Sequence, residues 1–428
     1  MFMAKVWIEA YGCSASVADS EMIAGLLKNS GHELVSNVNR ADVNLIVTCS
    51  VKDATANRMI YRIKRLSRTG KPLVVAGCLA KTETRTIQRL NSNANMLGPD
   101  AIDRVVEMVN SALAGNTLIA LQKSTSPKVN LPRVRFNPVI SIVEVASGCL
   151  SECSFCQTKL AKGRIQSYRI GDVVRHIRND VMQGCKEIWL TSTDNGAYGR
   201  DIGCNLAALI NQMCEIEGDF MVRVGMMNPM YIPFMMEELI EAYRNPKVFK
   251  FLHIPVQSGS DQVLKLMKRG HRVSVFTNIA KRFRQEFRHF SIATDIIVGF
   301  PMESEDDFQQ TIDLMNEVEP DIINISKFSA RPGTEASEID AKVDVKTVKE
   351  RTKKLHEIAN AIGYRRNLSW IGWSGEILID EMKNNGTLGR NFAYKPVFLH
   401  EKNIALGSKV NVKINSAFNH SLVGKLQN

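Results

Sequence analysis

The stretch ASGCLSECSFCQTK, residues 146–159, places three cysteines, Cys149, Cys153 and Cys156, within eight positions. It directly follows VISIVEV (139–145), the first of six apolar runs that read as strands. The others are EIWLTST (187–193), FMVRVGM (220–226), FLHIPVQ (251–257), SIATDIIVG (291–299) and IINISKF (322–328). Helical stretches separate them, among them VVRHIRNDVMQG (173–184), LAALINQMCEI (206–216), PFMMEELIEAY (233–243) and FQQTIDLMNEV (308–318). Strands alternating with helices build a parallel sheet, and six such units predict a partial (β/α)6 barrel of TIM type with its site at the carboxyl ends of the strands. The cysteine cluster falls at the end of the first strand, where that site belongs.

Upstream the chain also alternates. KVWIEAYG (5–12), DVNLIVTC (42–49) and PLVVAGC (72–78) read as strands, with helices over 17–31 and 55–70, so an α/β domain with a parallel sheet is expected over residues 1–122. Each of these strands ends in a cysteine, Cys13, Cys49 or Cys78. Ligands of open α/β sheets collect at carboxyl strand ends, so the three thiols are expected to converge. The polar, proline-bearing segment QKSTSPKVNLPRVRFNP (122–138) is a linker to the barrel unit, 138–335. A helical connection over 336–368 leads to a last unit, 369–428, where short strands (GEILIDEM, KPVFL, KVNVKINSA) and turn signals predict a small β-barrel. That unit carries seven Lys and Arg against four Asp and Glu.

The chain has 428 residues, 44% of them hydrophobic, with no apolar run near the ~20 residues of a membrane span. The opening MFMAKVWIEAYG lacks a secretory pattern, and a cytoplasmic location is expected. Nine cysteines in a reducing compartment point to metal or redox chemistry rather than disulfides. The formal charge of +11 favours a polyanionic partner such as RNA.

A cubane iron–sulfur cluster held wholly by protein takes four thiolates; three leave one iron open to a small molecule. Structural zinc is disfavoured, because no fourth Cys or His stands near Cys156 until His176. The C-x-x-x-C-x-x-C spacing, with Phe155 before its last cysteine, resembles the radical S-adenosylmethionine (SAM) superfamily. The order of the three units is similar to that of the methylthiotransferases, whose last unit is a TRAM domain. The segments GCLSECSFCQTK, EIWLTSTDNGAYGRDIG, FLHIPVQSGSD, ATDIIVGFP and FSARPGTEAS resemble the archaeal and eukaryotic branch that acts on threonylcarbamoyladenosine beside the tRNA anticodon.

The resemblance implies two 4Fe-4S clusters, one on Cys149, Cys153 and Cys156 that binds SAM, and one on Cys13, Cys49 and Cys78 that carries the sulfur to be transferred. It implies a radical that removes hydrogen from carbon 2 of the modified adenine, with a second SAM as methyl donor. The partners it implies are the tRNA anticodon stem-loop, a low-potential electron donor and a sulfide or persulfide source. Catalytic residues beyond the cluster ligands are not assigned. SAM contacts are expected from Phe155, Ser192, Thr193, Asp194, Arg223, Gln257, Ile296, Val298 and Gly299, although a structural ion pair serves Arg223 equally well. Ser258, Lys159, Lys162 and Arg164 are weaker candidates for cofactor, base or phosphate. Cys185, Cys204 and Cys214 lack ligand spacing and read as structural. Where the family continues Gly-Phe-Pro-Gly-Glu, this chain has Met302, which puts that turn in question. The alternatives are methylthiolation of isopentenyladenosine in tRNA or of a ribosomal-protein aspartate, and, outside enzymes, an RNA-binding protein with structural clusters.

Overall fold

Three sets of strands organise the computed structural model, which describes residues 3–51, 53–124 and 127–427. Residues 125 and 126 of the linker, and residues 1, 2, 52 and 428, lie outside the described residues. The first set is β1 (Lys5–Ala10), β2 (Glu33–Leu34), β3 (Val43–Thr48), β4 (Leu73–Gly77), β5 (Asn95–Leu97) and β6 (Ile119–Ala120), all parallel in the order β2-β1-β3-β4-β5-β6. β3 and β4 are buried at every position, as parallel strands covered by helices on both faces must be.

The second set supplies the barrel: β7 (Ile140–Ser147), β8 (Gln166–Ser167), β9 (Glu187–Ser192), β10 (Met221–Val224), β11 (Phe251–His253), β12 (Ser291–Val298) and β13 (Ile322–Lys327). Two ladders, β10-β9-β7-β8 and β11-β12-β13, are joined by a bridge between Val222 and Val248. Apart from the short antiparallel β8, the strands are parallel and stand in chain order, which is the partial barrel read from the six apolar runs. Side chains alternate along each strand. Ile188, Leu190, Val222, Leu252, Ile292, Ile296 and Val298 join the core under the helices. Trp189, Arg223 and Phe251 point the other way, into the barrel, where they meet.

The third set closes into a five-stranded barrel, β14 (Ser374–Lys383), β15 (Gly386–Arg390), β16 (Pro396–Leu399), β17 (Lys409–Ala417) and β18 (Leu422–Leu426), in the order β14-β15-β16-β18-β17. β15 lies within KNNGTLGRN (383–391), a stretch whose Asn and Gly residues give turn signals. Its two glycines hide the strand signal, yet Gly389 lies so close to Leu378 that a Cβ would stand 2.8 Å from the Leu378 carbonyl oxygen. The helix Val345–Leu368 precedes this barrel and is capped by Asp344, whose carboxylate accepts from the Thr347 amide.

The small barrel docks on the amino end of the large one. Phe392 O accepts from the Lys250 amide, Tyr394 packs on Phe249 and Phe251, and Gly407 lies against Val139 and Lys186. Lys395 pairs with Asp321 at 2.7 Å, both buried. Nothing in the strand pattern announces this contact, which leaves the carboxyl ends of the large barrel uncovered by the small one.

Candidate functional site

Cys13, Cys49 and Cys78 stand at the carboxyl ends of β1, β3 and β4, three adjacent strands of one sheet. Gly12 has φ +115°, and a Cβ there would fall 2.1 Å from Cys49 Cβ, so the β1 end packs directly on Cys49. Hydrogen bonding with Cys49 holds the Cys13 thiol well below its usual pKa and pushes that of Cys49 up. Burial raises Cys78 to about 12. Among the described residues no three Cys, His, Asp or Glu side chains close on a single metal ion. Each thiolate of a cubane binds a different iron, so a row of thiols spread over three strand ends is compatible with such a cluster.

The second trio begins at the end of β7. Gly148, at φ +80°, passes so near Arg164 that a Cβ would stand 2.1 Å from its carbonyl oxygen, and this approach turns the chain into the cysteine loop. Cys149 is buried, and its thiol is raised to about 12 by burial and then by the Asp194 charge. The Ser151 amide donates to Cys149 Sγ at 3.3 Å. Arg269, which the sequence did not single out, donates to Cys153 Sγ at 3.3 Å and to the Pro255 carbonyl at 2.8 Å. Ser154 fastens the loop through Leu266 and Met267. Leu266, Met267 and Arg269 belong to one helix end and the turn after it, more than 100 residues along the chain, which is why no local spacing reveals them.

Beside this loop, at the end of β9, three consecutive residues keep buried polar atoms without a partner: Ser192 Oγ, Thr193 Oγ1 and Asp194 Oδ2. The other Asp194 oxygen accepts from the Gly196 and Asn228 amides at 3.0 and 2.9 Å. Burial lifts the Asp194 carboxyl to about 6. An orphaned carboxylate oxygen near a cysteine loop fits the ammonium of an amino acid such as the methionine part of SAM. Phe155 lies on the carboxyl-end cluster with Phe300 and Ile297, and Gln257 is buried, with φ +78° and a bridge to Ile296.

Four of the expected SAM contacts have other partners in this structure. Arg223 lies within β10 with its guanidinium over Trp189, Tyr394 and Phe251 at 5.1, 5.3 and 5.6 Å, so its partners are rings at the docked end. Ile296 and Val298 face the helix core, because strand alternation turns Ile297 and not its neighbours toward Phe155. Gly299 donates its amide to Glu303, and a Cβ there would stand 2.4 Å from Val348, so it serves the turn. Met302 keeps a left-handed φ of +69° at half exposure, so the turn persists without glycine. Lys159 and Lys162 are spent internally, on the Cys149 carbonyl and Glu152 and on Glu144. Cys185 and Cys214 belong to the barrel core, with Cys204 packed against it.

The two trios belong to domains that meet. Helix Cys78–Thr82 packs on helix Gln157–Lys162, and Gln157 reaches Glu83 at 3.5 Å. Arg331 of the barrel unit donates to the Ser50 carbonyl beside Cys49.

A fold of this kind with three cysteines in the loop after the first barrel strand defines a class, and the comparisons agree with it. The radical SAM superfamily model matches residues 143–315, and that of uncharacterized protein family UPF0004 matches residues 5–98. The solved radical S-adenosylmethionine methyltransferase TsrM of Kitasatospora setae shares the fold, with a TM-score of 0.58 at 13% identity over 78% of this chain and 75% of that one. The chain is 41% identical to the probable threonylcarbamoyladenosine tRNA methylthiotransferase of Pyrococcus horikoshii, over 93% of this chain and 94% of the relative. The Drosophila melanogaster enzyme of that name is 38% identical over 99% of this chain and 77% of its own, and the Homo sapiens one 36% over 98% and 74%. The chain belongs to the threonylcarbamoyladenosine tRNA methylthiotransferase family of radical SAM enzymes.

Proposed function

We propose that this chain places a methylthio group on carbon 2 of N6-threonylcarbamoyladenosine beside the anticodon of tRNA. The observation that carries the reading is the pair of cysteine trios, each at carboxyl ends of parallel strands, on domains that face one another. Cys149, Cys153 and Cys156 would hold one 4Fe-4S cluster, and Cys13, Cys49 and Cys78 a second. When bound, the first supplies the electron that cleaves SAM to a radical able to take hydrogen from an unactivated carbon, and the second supplies sulfur, chemistry that belongs to the cofactors.

The protein's part is to bind and orient. Asp194 Oδ2, Ser192 and Thr193 offer acceptors for the SAM amino group, and Arg269 places a positive charge beside Cys153. Within the barrel His253 Nε2 and Asn324 Nδ2 share Asp295 Oδ1 at 3.1 and 2.8 Å. This polar group offers donors and acceptors to a substrate that carries a carbamoyl and a carboxylate. An electron donor of low potential and a source of sulfide or persulfide complete the balance.

The test is mass spectrometry of nucleosides from tRNA bearing threonylcarbamoyladenosine, after anaerobic incubation with reconstituted protein, SAM, sulfide and reductant. Gain of one methylthio group on that nucleoside is expected. Accumulation of 5′-deoxyadenosine with the nucleoside unchanged, while isopentenyladenosine is modified, would move the assignment to the alternative base.

A further inference from the structure

At the mouth of the large barrel, loops after β9 and β10 enclose a recess of about 260 Å³ lined by Gly196, Tyr198, Arg200, Asn205, Tyr231 and Phe234. Phe234 is 72% exposed, a high value for a phenylalanine on a helical turn, Pro229–Met235, that buries Pro229, Tyr231, Ile232 and Met235. The Arg200 guanidinium lies 4.8 Å from the Phe234 ring centre and 5.3 Å from that of Tyr231. Among the described residues no carboxylate pairs with Arg200, which leaves a flat cation braced on two rings with its hydrogen-bond donors open to the recess.

Tyr231 is the shared wall between this recess and the cysteine loop. Its hydroxyl lies 3.2 Å from that of Ser151, whose amide donates to Cys149 Sγ. Asn228, which opens the same turn, donates to Ser151 and to Asp194. The recess is thus a neighbour of the SAM-binding candidates, linked to them through Tyr231, Ser151 and Asn228, yet none of its exposed groups belongs to that set. The small basic barrel is docked at the other end of the large one, so among the elements at this mouth these loops are placed to hold a nucleotide flanking an inserted base.

From this juxtaposition we infer that the Arg200–Phe234 recess holds an unpaired nucleobase of the anticodon loop adjacent to the base being modified. The inference rests on the tRNA reading above and adds to it the site that grips a flanking nucleotide. An exposed aromatic face accepts the π surface of any base, and an arginine beside it adds a cation–π contact, donors for base edges and attraction to phosphate. Such a platform tolerates sequence, which suits a loop nucleotide that is positioned rather than read. The net charge of +11 favours the same partner.

The experiment uses the full reconstituted chain and a fluorescein-labelled anticodon stem-loop carrying threonylcarbamoyladenosine. A companion series lacks, one at a time, the base of each unpaired loop nucleotide. Phe234→Ala is expected to weaken binding between about 5- and 150-fold, the range that loss of one base–aromatic stack gives. Phe234→Trp is expected to restore it, and SAM binding by Phe234→Ala to match that of the unaltered chain. Removal of one particular flanking base should weaken the unaltered chain by a similar factor and cost Phe234→Ala nothing more. Binding of the intact loop by Phe234→Ala within twofold of the unaltered chain, or equal losses for both proteins at every abasic position, overturns the inference alone. Failure of the unaltered chain to bind the stem-loop at all would instead overturn the tRNA reading on which it rests.

Discussion

Lys162 Nζ and Glu144 Oε1 stand 2.5 Å apart, both side chains buried, where the large barrel meets the amino-terminal domain. The other oxygen of Glu144 pairs with Lys128 of the linker, which also reaches Asp19 at 2.9 Å and Asp100 at 3.6 Å. Linker, sheet domain and barrel therefore share one buried charge network that holds the two cysteine trios in their mutual position. Replacing one member leaves its partners buried and uncompensated. Glu144→Gln is expected to destabilise the chain by about 3–5 kcal/mol in urea unfolding, and a loss under 1 kcal/mol would contradict that role.

The network also sets an acid dependence. Burial opposes the charge on Glu144, but Lys128 and Lys162 outweigh it and hold the carboxyl at about 2, below its usual 4.5. A lowered folded-state pKa contributes stability that is complete above about 4.5 and is lost as pH falls toward about 2. Asp19 has the opposite sign: burial raises it from 3.8 to about 6, so its contribution is present below 3.8 and is lost as pH rises through about 6. Urea unfolding across pH should show a shallower acid decline in Glu144→Gln and, in Asp19→Asn, no loss between pH 4 and 6 from that residue. Parallel curves for all three proteins would refute the assignment.

Asp194→Asn preserves shape and removes the charge offered at Oδ2. With a charge-assisted hydrogen bond worth about 1.5–3 kcal/mol, the Kd for SAM should rise roughly 10- to 150-fold by anaerobic calorimetry. An unchanged Kd would remove Asp194 from the site.

Arg223→Met should act differently. Its rings and the docked barrel lose a cation–π contact of about 0.5–2 kcal/mol, so stability falls while SAM affinity stays level. Loss of SAM binding without loss of stability would return Arg223 to the cofactor.

The two trios should separate in function. Cys153→Ala is expected to abolish 5′-deoxyadenosine formation, whereas Cys49→Ala should retain it and yield no methylthio product. Each variant should hold about half the iron of the unaltered chain after reconstitution, since three thiolates serve each cubane. Iron content that stays at the full value in Cys49→Ala would argue against a cluster there.

Much of this was legible along the chain because it is local. A cysteine triplet in eight positions, and a cysteine at each of three strand ends, are facts of spacing. A parallel sheet aligns such ends by its own geometry, so the order of strands and helices and the two cysteine trios at strand ends could be read from the sequence alone. What only the tertiary structure decided are contacts between residues far apart in the chain. Arg269 reaching Cys153, Lys128 joining Asp19 to Glu144, and Tyr394 receiving Arg223 have no periodic signature, because the energy of each depends on burial that several elements create together. The placement of the Ile296 and Val298 side chains has the same origin. Strand alternation fixes that neighbours face opposite ways, but which face is the core is settled by the helices that pack on it.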